Sequence, residues 1–517
     1  MKLVNADQMR AVDSHAINVV KIPSLTLMEN AGRGIFEYIR DNLLPGSDHP
    51  RIAIICGRAN NGGDGFVVGR YLIEDGHKVD LFLAGADDKL SDDCRANYDR
   101  IRALGRTVTP IIEPSQLPDF SGYDLIIDAL FGTGFSGAPQ GISSSIIDGI
   151  NDSARLVIAI DAPSGLDVST GQVQGNAVVA DLTTTLALPK FGHFVTPGRE
   201  LSGHVTVIPI DIPDAVVDKF DIKTNLITGE MVASLLPTPK PDGHKGDYGK
   251  VFILAASPGL TGAAAMSGLA AARSGAGLVT VGVPASLNAI LEAKLTEVMT
   301  APLPDVGKKS VLALRGLGEI RKHLKERDAV AIGPGIGRHH ETIELIRRLV
   351  PSLEIPAVVD ADGLYALGGD DSPLPGNHGP LILTPHPGEF ARLTGEKPDS
   401  NPINNFDLIA RWAKKFNSVL VLKGSPTIIA SPEGDIYLNP TGNWGMATGG
   451  SGDVLTGIIV ALLGQKMTLL DAAVCAVYIH GLAGDLAIGD IHPRSLLAGD
   501  LITYLSPAFA ALESFED

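Results

Sequence analysis

Cysteine is scarce in this chain. Its three cysteines, Cys56, Cys94 and Cys475, stand far apart and are odd in number. No disulfide framework or metal spacing can be read from them, and a reducing cytosol is the expected home. Clusters of Lys and Arg are missing too. The net charge is −17, with acidic residues spread along the chain. Neither a nucleic-acid surface nor an anionic membrane surface is expected, because both select for clustered cations. Long uninterrupted apolar runs are absent as well. Residues 261–285 come nearest, but they are rich in Gly and Ala and broken by Arg273, so no membrane span is expected. The opening residues MKLVNADQMRAVDSHA lack the apolar core of a signal peptide, which again points to a cytoplasmic location.

What is present fits a globular protein of more than one core. At 517 residues, 44% hydrophobic and 20% charged, the chain is too long for one ordinary domain. Met9, Val12, Ala16 and Val19 recur at helical spacing, and a second helix is predicted over 27–40. Short β-rich runs follow at 51–56, 78–84, 123–128, 155–161 and 204–210, with helix-compatible segments at 66–74 and 92–104. Strands alternating with helices predict βαβ units and a mainly parallel sheet. The rhythm stops across 211–236, where prolines flank a mixed segment, and resumes with runs at 250–256, 278–283, 328–332, 357–360, 381–384 and 418–422. Two different α/β domains, 1–222 and 223–517, are the expectation.

In the first domain, Gly57-Arg-Ala-Asn60-Asn61-Gly62-Gly63-Asp64-Gly65 follows an apolar strand and precedes a helix. Glycines there let backbone approach a ligand, and free N–H groups at a helix N-terminus favour an anion. Asp128 closes the next apolar strand, before Gly132-Thr133-Gly134, and Asp161 closes another, before Pro163-Ser164-Gly165. Ligands of open parallel sheets bind outside the carboxyl ends of the strands, so the three loops are expected to face one cleft. Each Asp taken singly is also compatible with a plain turn cap.

This set resembles the NAD(P)HX epimerase family, over about residues 1–220. Met9-Arg-Ala-Val-Asp13, Leu27-Met-Glu-Asn-Ala-Gly32 and Leu188-Pro-Lys190-Phe-Gly192 contribute to the likeness. The resemblance implies a Rossmann-like fold that acts on hydrated nicotinamide cofactors. It implies that Asn60, Asn61, Gly62, Gly63 and Asp64, with Gly132, Thr133, Gly134, Phe135, Ser136, Gly137 and Ala138, hold the substrate's phosphates and ribose. Asn61, Asp128 and Ser164 would coordinate a potassium ion, and Asp161 would bind the hydrated ring and act as acid/base. Amide, carboxylate and hydroxyl oxygens suit a hard cation, and a positioned carboxylate suits proton transfer. Lys190 is read as a surface lysine, with a lesser role as a helper to developing negative charge.

The second domain carries Asn439-Pro-Thr-Gly442-Asn443-Trp444-Gly445-Met-Ala-Thr448-Gly449-Gly450-Ser451-Gly452-Asp453, running into an apolar helix predicted over 454–463. Such a loop forms an anion hole, and Asp453 in the first turn can face the atom attacking a phosphoryl group. The loop resembles that of the ribokinase-like fold, and more narrowly that of ADP- or ATP-dependent NAD(P)HX dehydratases. Supporting segments appear in order over about 225–517: His244-Lys245-Gly246-Asp247, Thr261-Gly262, Gly333-Pro-Gly-Ile-Gly337, Asp360-Ala-Asp362-Gly363, Thr384-Pro-His386-Pro-Gly388-Glu389 and Lys423-Gly424-Ser425-Pro426-Thr427.

The likeness implies that Lys423, Gly424, Ser425, Pro426, Thr427 and Gly452 bind the nucleotide, while Gly262, Gly337, His386 and Asp453 line the hydrated-cofactor site. The implied co-substrate is ADP, accompanied by magnesium, and the implied substrates are NADHX and NADPHX. Departures from the pattern are Ala255-Ala256-Ser257 in place of Gly-Gly-Ser, Trp444 where proline is common, and Gly243 before His244 where serine is usual. His480 receives no role. The long N-terminal helices offer a contact surface for a homo-oligomer. A ribokinase-like small-molecule kinase with an accessory N-terminal domain is the competing expectation, and a non-catalytic N-terminal binding module is another.

Overall fold

The computed structural model describes every residue except 45–49, 239–240, 370–373, 375–377 and 516–517. The chain divides into two compact units, Lys2–Ile222 and Lys223–Asp517, with Met1 joined to the second.

The first unit opens with two helices. Ala6–Asn18 starts from a capping box in which the Asn5 side chain accepts from the Gln8 amide at 2.8 Å, and Gln8 accepts from the Asn5 amide at 3.0 Å. Ser24–Asn42 buries Leu27, Ala31, Ile35 and Ile39, each four residues from the next. The sheet strands are β1 (Arg51–Cys56), β2 (Lys78–Ala84), β3 (Val108–Ile111), β4 (Leu125–Ala129) and β5 (Leu156–Ile160). A small hairpin, β6 (Leu166–Asp167) and β7 (Gln172–Val173), precedes β8 (Leu182–Leu186) and β9 (His204–Ile208). The seven sheet strands run parallel in the order β3-β2-β1-β4-β5-β8-β9.

Alternate residues of each strand feed two cores. Ile52, Ile54, Leu125 and Ile127 pack with helix residues Phe66 and Val68, whereas Ala53, Ile55, Ile126 and Ala159 pack with Ile146, Ile147 and Ile150. Coverage of both faces is what a parallel sheet requires. Chain order reverses between β1 and β4, which places a crevice at their carboxyl ends.

The glycine-rich segment after β1 is not an open loop. The helix begins at Asn60 and runs to Glu74, earlier than the apolar pattern suggests. A Cβ on Gly62 would lie 1.9 Å from the Gly57 carbonyl oxygen, and one on Gly65 would lie 2.6 Å from the Ala129 Cβ. These glycines let the helix press against the sheet end, and none of the three helical positions 62, 63 and 65 has a positive φ.

The second unit contains β10 (Thr224–Leu226), β11 (Lys250–Leu254), β12 (Leu278–Pro284), β13 (Met299–Leu303), β14 (Ala329–Ile332) and β15 (Ala357–Val359). They are followed by β16 (Leu381–Leu383), β17 (Val419–Leu422), β18 (Ile428–Ala430) and β19 (Ile436–Leu438). Their order is β10-β19-β18-β17-β16-β15-β14-β11-β12-β13, and only β18 is antiparallel to its neighbours. Here too the chain reverses, between β11 and β14. Helix Ser451–Gly464 is buried along its whole length from Val454. Leu469–Ala487 is long and apolar enough to cross a membrane, yet Ala472, Val474, Cys475, Ile479 and Ala483 sit in the core of this unit.

Candidate functional site

A cavity of about 630 Å³ opens at the carboxyl edge of the first sheet. Asn60, Asn61, Asp64, Gly132, Thr133, Gly134, Phe135 and Asp161 line it, so the loops after β1, β4 and β5 converge. Gly62, Gly63, Ser136, Gly137 and Ala138 are not among the lining residues. Asp128 and Ser164 do not line it either, and both are fully buried.

Asp161 sits at a φ of +65° just past β5. One carboxylate oxygen accepts from Lys190 Nζ at 2.6 Å, and the other from the Thr133 amide at 2.8 Å and its hydroxyl at 2.5 Å. Lys190 is not on the surface: it is 1% exposed and also donates to Thr185 Oγ1 and the Leu186 carbonyl, each at 2.9 Å. The reason is tertiary. The N-terminal segment pins this loop, with Val4 donating to the Pro189 carbonyl and Phe191 donating to Val4, each at 3.0 Å.

Burial alone would raise the Asp161 carboxyl, but the charge of Lys190 and hydrogen bonds from Lys190 and Thr133 hold it well below the usual carboxylate range. Burial, then the neighbouring Asp161 and Asp13, pushes Asp64 well above that range. Asp128 is pushed up to about 6 by burial, against the hydrogen bonds from Ser164.

Of the three side chains named above as a cation set, Asn61 lines the cavity and the other two bond to each other. Asp128 accepts from the Ser164 hydroxyl at 2.7 Å and from its amide at 2.8 Å. Among the described residues the buried Asn61 side chain has no hydrogen-bond partner for either its oxygen or its nitrogen. A buried amide without partners is costly, and its oxygen fits the donor set of a hard monovalent cation.

The second unit gathers its charged groups at the carboxyl ends of β15 and β17. Lys423 Nζ donates to Asp360 at 2.6 Å and lies 3.8 Å from Glu389. The other Asp360 oxygen accepts from Thr456 at 2.9 Å. A Cβ on Gly452 would stand 3.4 Å from Lys423 Nζ and 3.6 Å from that Asp360 oxygen. The glycine loop and the Lys423 pair therefore meet. Gly450 at φ +97° caps helix Ser451–Gly464 and puts Asp453 in its first turn. Burial raises Asp453 to about 7, with Asp360 adding and Lys423 opposing.

Gly424 and Ser425 are exposed, and Thr427 Oγ1 donates to the Gly424 carbonyl at 3.1 Å to close their turn. Among the described residues nothing lies within 4 Å of a would-be Cβ on Gly262. Gly337, at φ +80°, donates its amide to Asp362 at 3.1 Å. His386 caps helix Pro387–Thr394, its Nδ1 accepting from the Gly388 amide at 3.0 Å.

Asp360, Asp485 and His480 have no role among the residues expected from the motifs. Asp360 ends an apolar strand, as Asp128 and Asp161 nearly do, and that signal was readable. Asp485 accepts from the Gly442 amide at 2.8 Å and from Asn443 at 3.0 Å, and His480 Nε2 is 3.2 Å from Ser451 Oγ. Both anchor the glycine loop from helix Leu469–Ala487. Burial lowers His480 to about 4, leaving it neutral. Asp13, also on the first cavity's wall, was visible only as part of a motif.

Comparison with known proteins follows this division. Residues 251–507 match the family described as NAD(P)H-hydrate dehydratase, and residues 24–192 match the YjeF-related protein N-terminus. The chain is 43% identical to the bifunctional NAD(P)H-hydrate repair enzyme Nnr of Moorella thermoacetica, covering 99% of this chain and 97% of that one. It is 32% identical to the Escherichia coli enzyme of the same name, covering 97% and 92%. The solved ADP/ATP-dependent NAD(P)H-hydrate dehydratase of Bacillus subtilis, co-crystallised with ATP and Mg²⁺, is 34% identical over 56% of this chain and 98% of that one, with a TM-score of 0.48. With both units matched and full-length relatives at this identity, the chain belongs to the family of bifunctional NAD(P)H-hydrate repair enzymes.

Proposed function

We propose that the first unit interconverts the R and S epimers of hydrated NADH and NADPH, and that the second dehydrates the S form at the expense of ADP, giving AMP and phosphate. One observation carries this reading. Each unit places a carboxylate beside a lysine at the carboxyl edge of its sheet, Asp161 with Lys190 and Asp453 near Lys423.

In the first unit Asp161 serves as acid/base at the hydrated ring, and the loop Gly132–Phe135 holds the polar part of the substrate. Asn61, Asp128 and Ser164 would hold a potassium ion, which would supply fixed positive charge beside the phosphates. In the second unit Lys423–Thr427 and Gly452 bind the nucleotide, and the helix N-terminus at Ser451 offers free amides to its phosphates. Gly262, Gly337 and His386 line the hydrated-cofactor side. Asp453 takes the proton of the ring hydroxyl as that oxygen attacks phosphorus, and Lys423 offsets charge on the transferring group. Phosphate then departs from the carbon and the dihydropyridine is restored. Among the described residues no cluster of three or more His, Cys, Asp or Glu is poised for a metal, so magnesium would arrive on the nucleotide phosphates.

The test is to mix the full chain with both NADHX epimers, magnesium, potassium and ADP, and follow NADH absorbance. Complete conversion supports both units. A stop at the S fraction sinks the epimerase. Accumulation of a stable phosphorylated product, without phosphate release, turns the second unit into a kinase.

A further inference from the structure

Asp161 is engaged by strong donors and held ionised. It can accept a proton, but it has none to give. Inverting a carbinol carbon beside a ring nitrogen takes two proton movements, because the hydroxyl leaves with one and the incoming water loses one. A second group must serve the departing hydroxyl.

Asp13 lies on the face of helix Ala6–Asn18 that also carries Met9 and Ile17, and all three line the cavity reached by Asp161. Among the described residues no hydrogen bond to its carboxyl is seen, and Lys190 and Asp161 act on it through charge alone. We propose that Asp13 is the proton donor of the epimerisation, with Asp161 as the acceptor; this rests on the epimerase reading of the first unit. The bond from carbon to the hydroxyl oxygen breaks with its electron pair on oxygen, which takes the Asp13 proton and leaves as water. The ring nitrogen lone pair stabilises the carbon as an iminium. Water then adds to the other face, its oxygen supplying the bonding pair and its proton passing to Asp161. No oxidant or reductant is needed. The proton returns to Asp13 through solvent, or when the reaction runs backward.

Electrostatics agrees with the geometry. Burial pushes Asp13 up to about 6, Lys190 opposing and Asp161 reinforcing, so roughly a tenth stays protonated at pH 7. Lys190, Asp161 and Asp64 are the charged neighbours that couple to it, and Arg10 and Asp93 line the same cavity. Arg10 is paired with Asp7.

The experiment uses the full chain without nucleotide and separates R- and S-NADHX by chromatography over time. Asp13→Asn is expected to lower kcat about 100-fold or more with KM within about threefold. Wild-type kcat/KM should fall above pH about 6, and the variant should lose that limb, since Asn cannot titrate. Asp13→Glu should recover part of kcat, a rescue that a packing role would not produce. A thermal melting profile of the variant that retains the wild-type transition of the first unit reports that this unit is folded. An Asp13→Asn kcat within about threefold of wild type overturns the proposal, as does a variant that keeps the alkaline limb. Should Asp13→Asn fail to fold, a wild-type profile with no limb near pH 6 overturns it alone. A wild-type chain that leaves the epimers unequilibrated overturns the epimerase reading itself, which is a separate outcome.

Discussion

Lys190 and Asp161 form an ion pair of 2.6 Å inside the first unit, with the lysine 1% exposed. Breaking a buried pair from one side costs about 3–5 kcal/mol, because the other charge stays behind unpaired. Lys190→Met is therefore expected to lower stability by about that amount. Thermal melting checks it, and the double variant Lys190→Met with Asp161→Asn should regain most of the loss without regaining epimerisation. The sign with pH follows from the depressed carboxyl. Its stabilisation is present above the unfolded value of about 4 and is lost as pH falls through the lower folded value.

Asp161→Asn keeps the shape of the side chain and removes its charge. Epimerisation should fall below detection while dehydration of the S epimer persists at the wild-type rate. Loss of both activities would count against two independent sites.

Gly132 and Gly262 separate packing from ligand contact. A Cβ on Gly132 would lie 2.9 Å from Asp161 Oδ2 and 3.0 Å from Asn61 Oδ1. Gly132→Ala should reduce epimerisation at least about tenfold by displacing those groups, with dehydration untouched. A Cβ on Gly262 meets nothing, so Gly262→Ala should leave the melting temperature unchanged or raise it, as Ala is favoured over Gly within a helix. A higher KM for the hydrated cofactor in that stable variant would place the ligand against this helix, and an unchanged KM would remove Gly262 from the site.

Asp453 works as a base only when ionised, and burial holds it at about 7. Dehydration should rise with pH through about 7 and level off above it. Asp453→Asn should flatten that limb and lower kcat by about 100-fold or more, with nucleotide binding, measured by calorimetry, preserved. A rate independent of pH between 6 and 8, a unit either side of that value, would remove Asp453 from the proton-transfer step.

Some strands escape a reading based on apolar runs, and each for a physical reason. β8 reads Leu182-Thr-Thr-Thr-Leu186, which is polar in composition, yet Thr183, Thr184 and Thr185 are fully buried. Thr183 and Thr184 satisfy their hydroxyls on the Ser202 and Ala159 carbonyls at 2.8 and 3.2 Å. β13 carries Pro302 and is an edge strand, where a missing N–H is tolerated. Predicted helices began too late after both glycine-rich segments, since glycine is read as a breaker. Here Gly62 and Gly65 stay helical because only their lack of a Cβ permits contact with the sheet end.

The alternation of strands with helices, the break after residue 222 and the glycine-dense loop before Asp453 were set by local pattern, because apolar periodicity and turn chemistry act over a few residues. That Lys190 is buried, that Asp13 shares a cavity with Asp161, and that Asp360 holds Lys423 beside the glycine loop were decided by tertiary structure. Those partners stand far apart along the chain. Only parallel strands ending at one edge bring them within hydrogen-bonding range, and burial there sets which carboxyl keeps its proton.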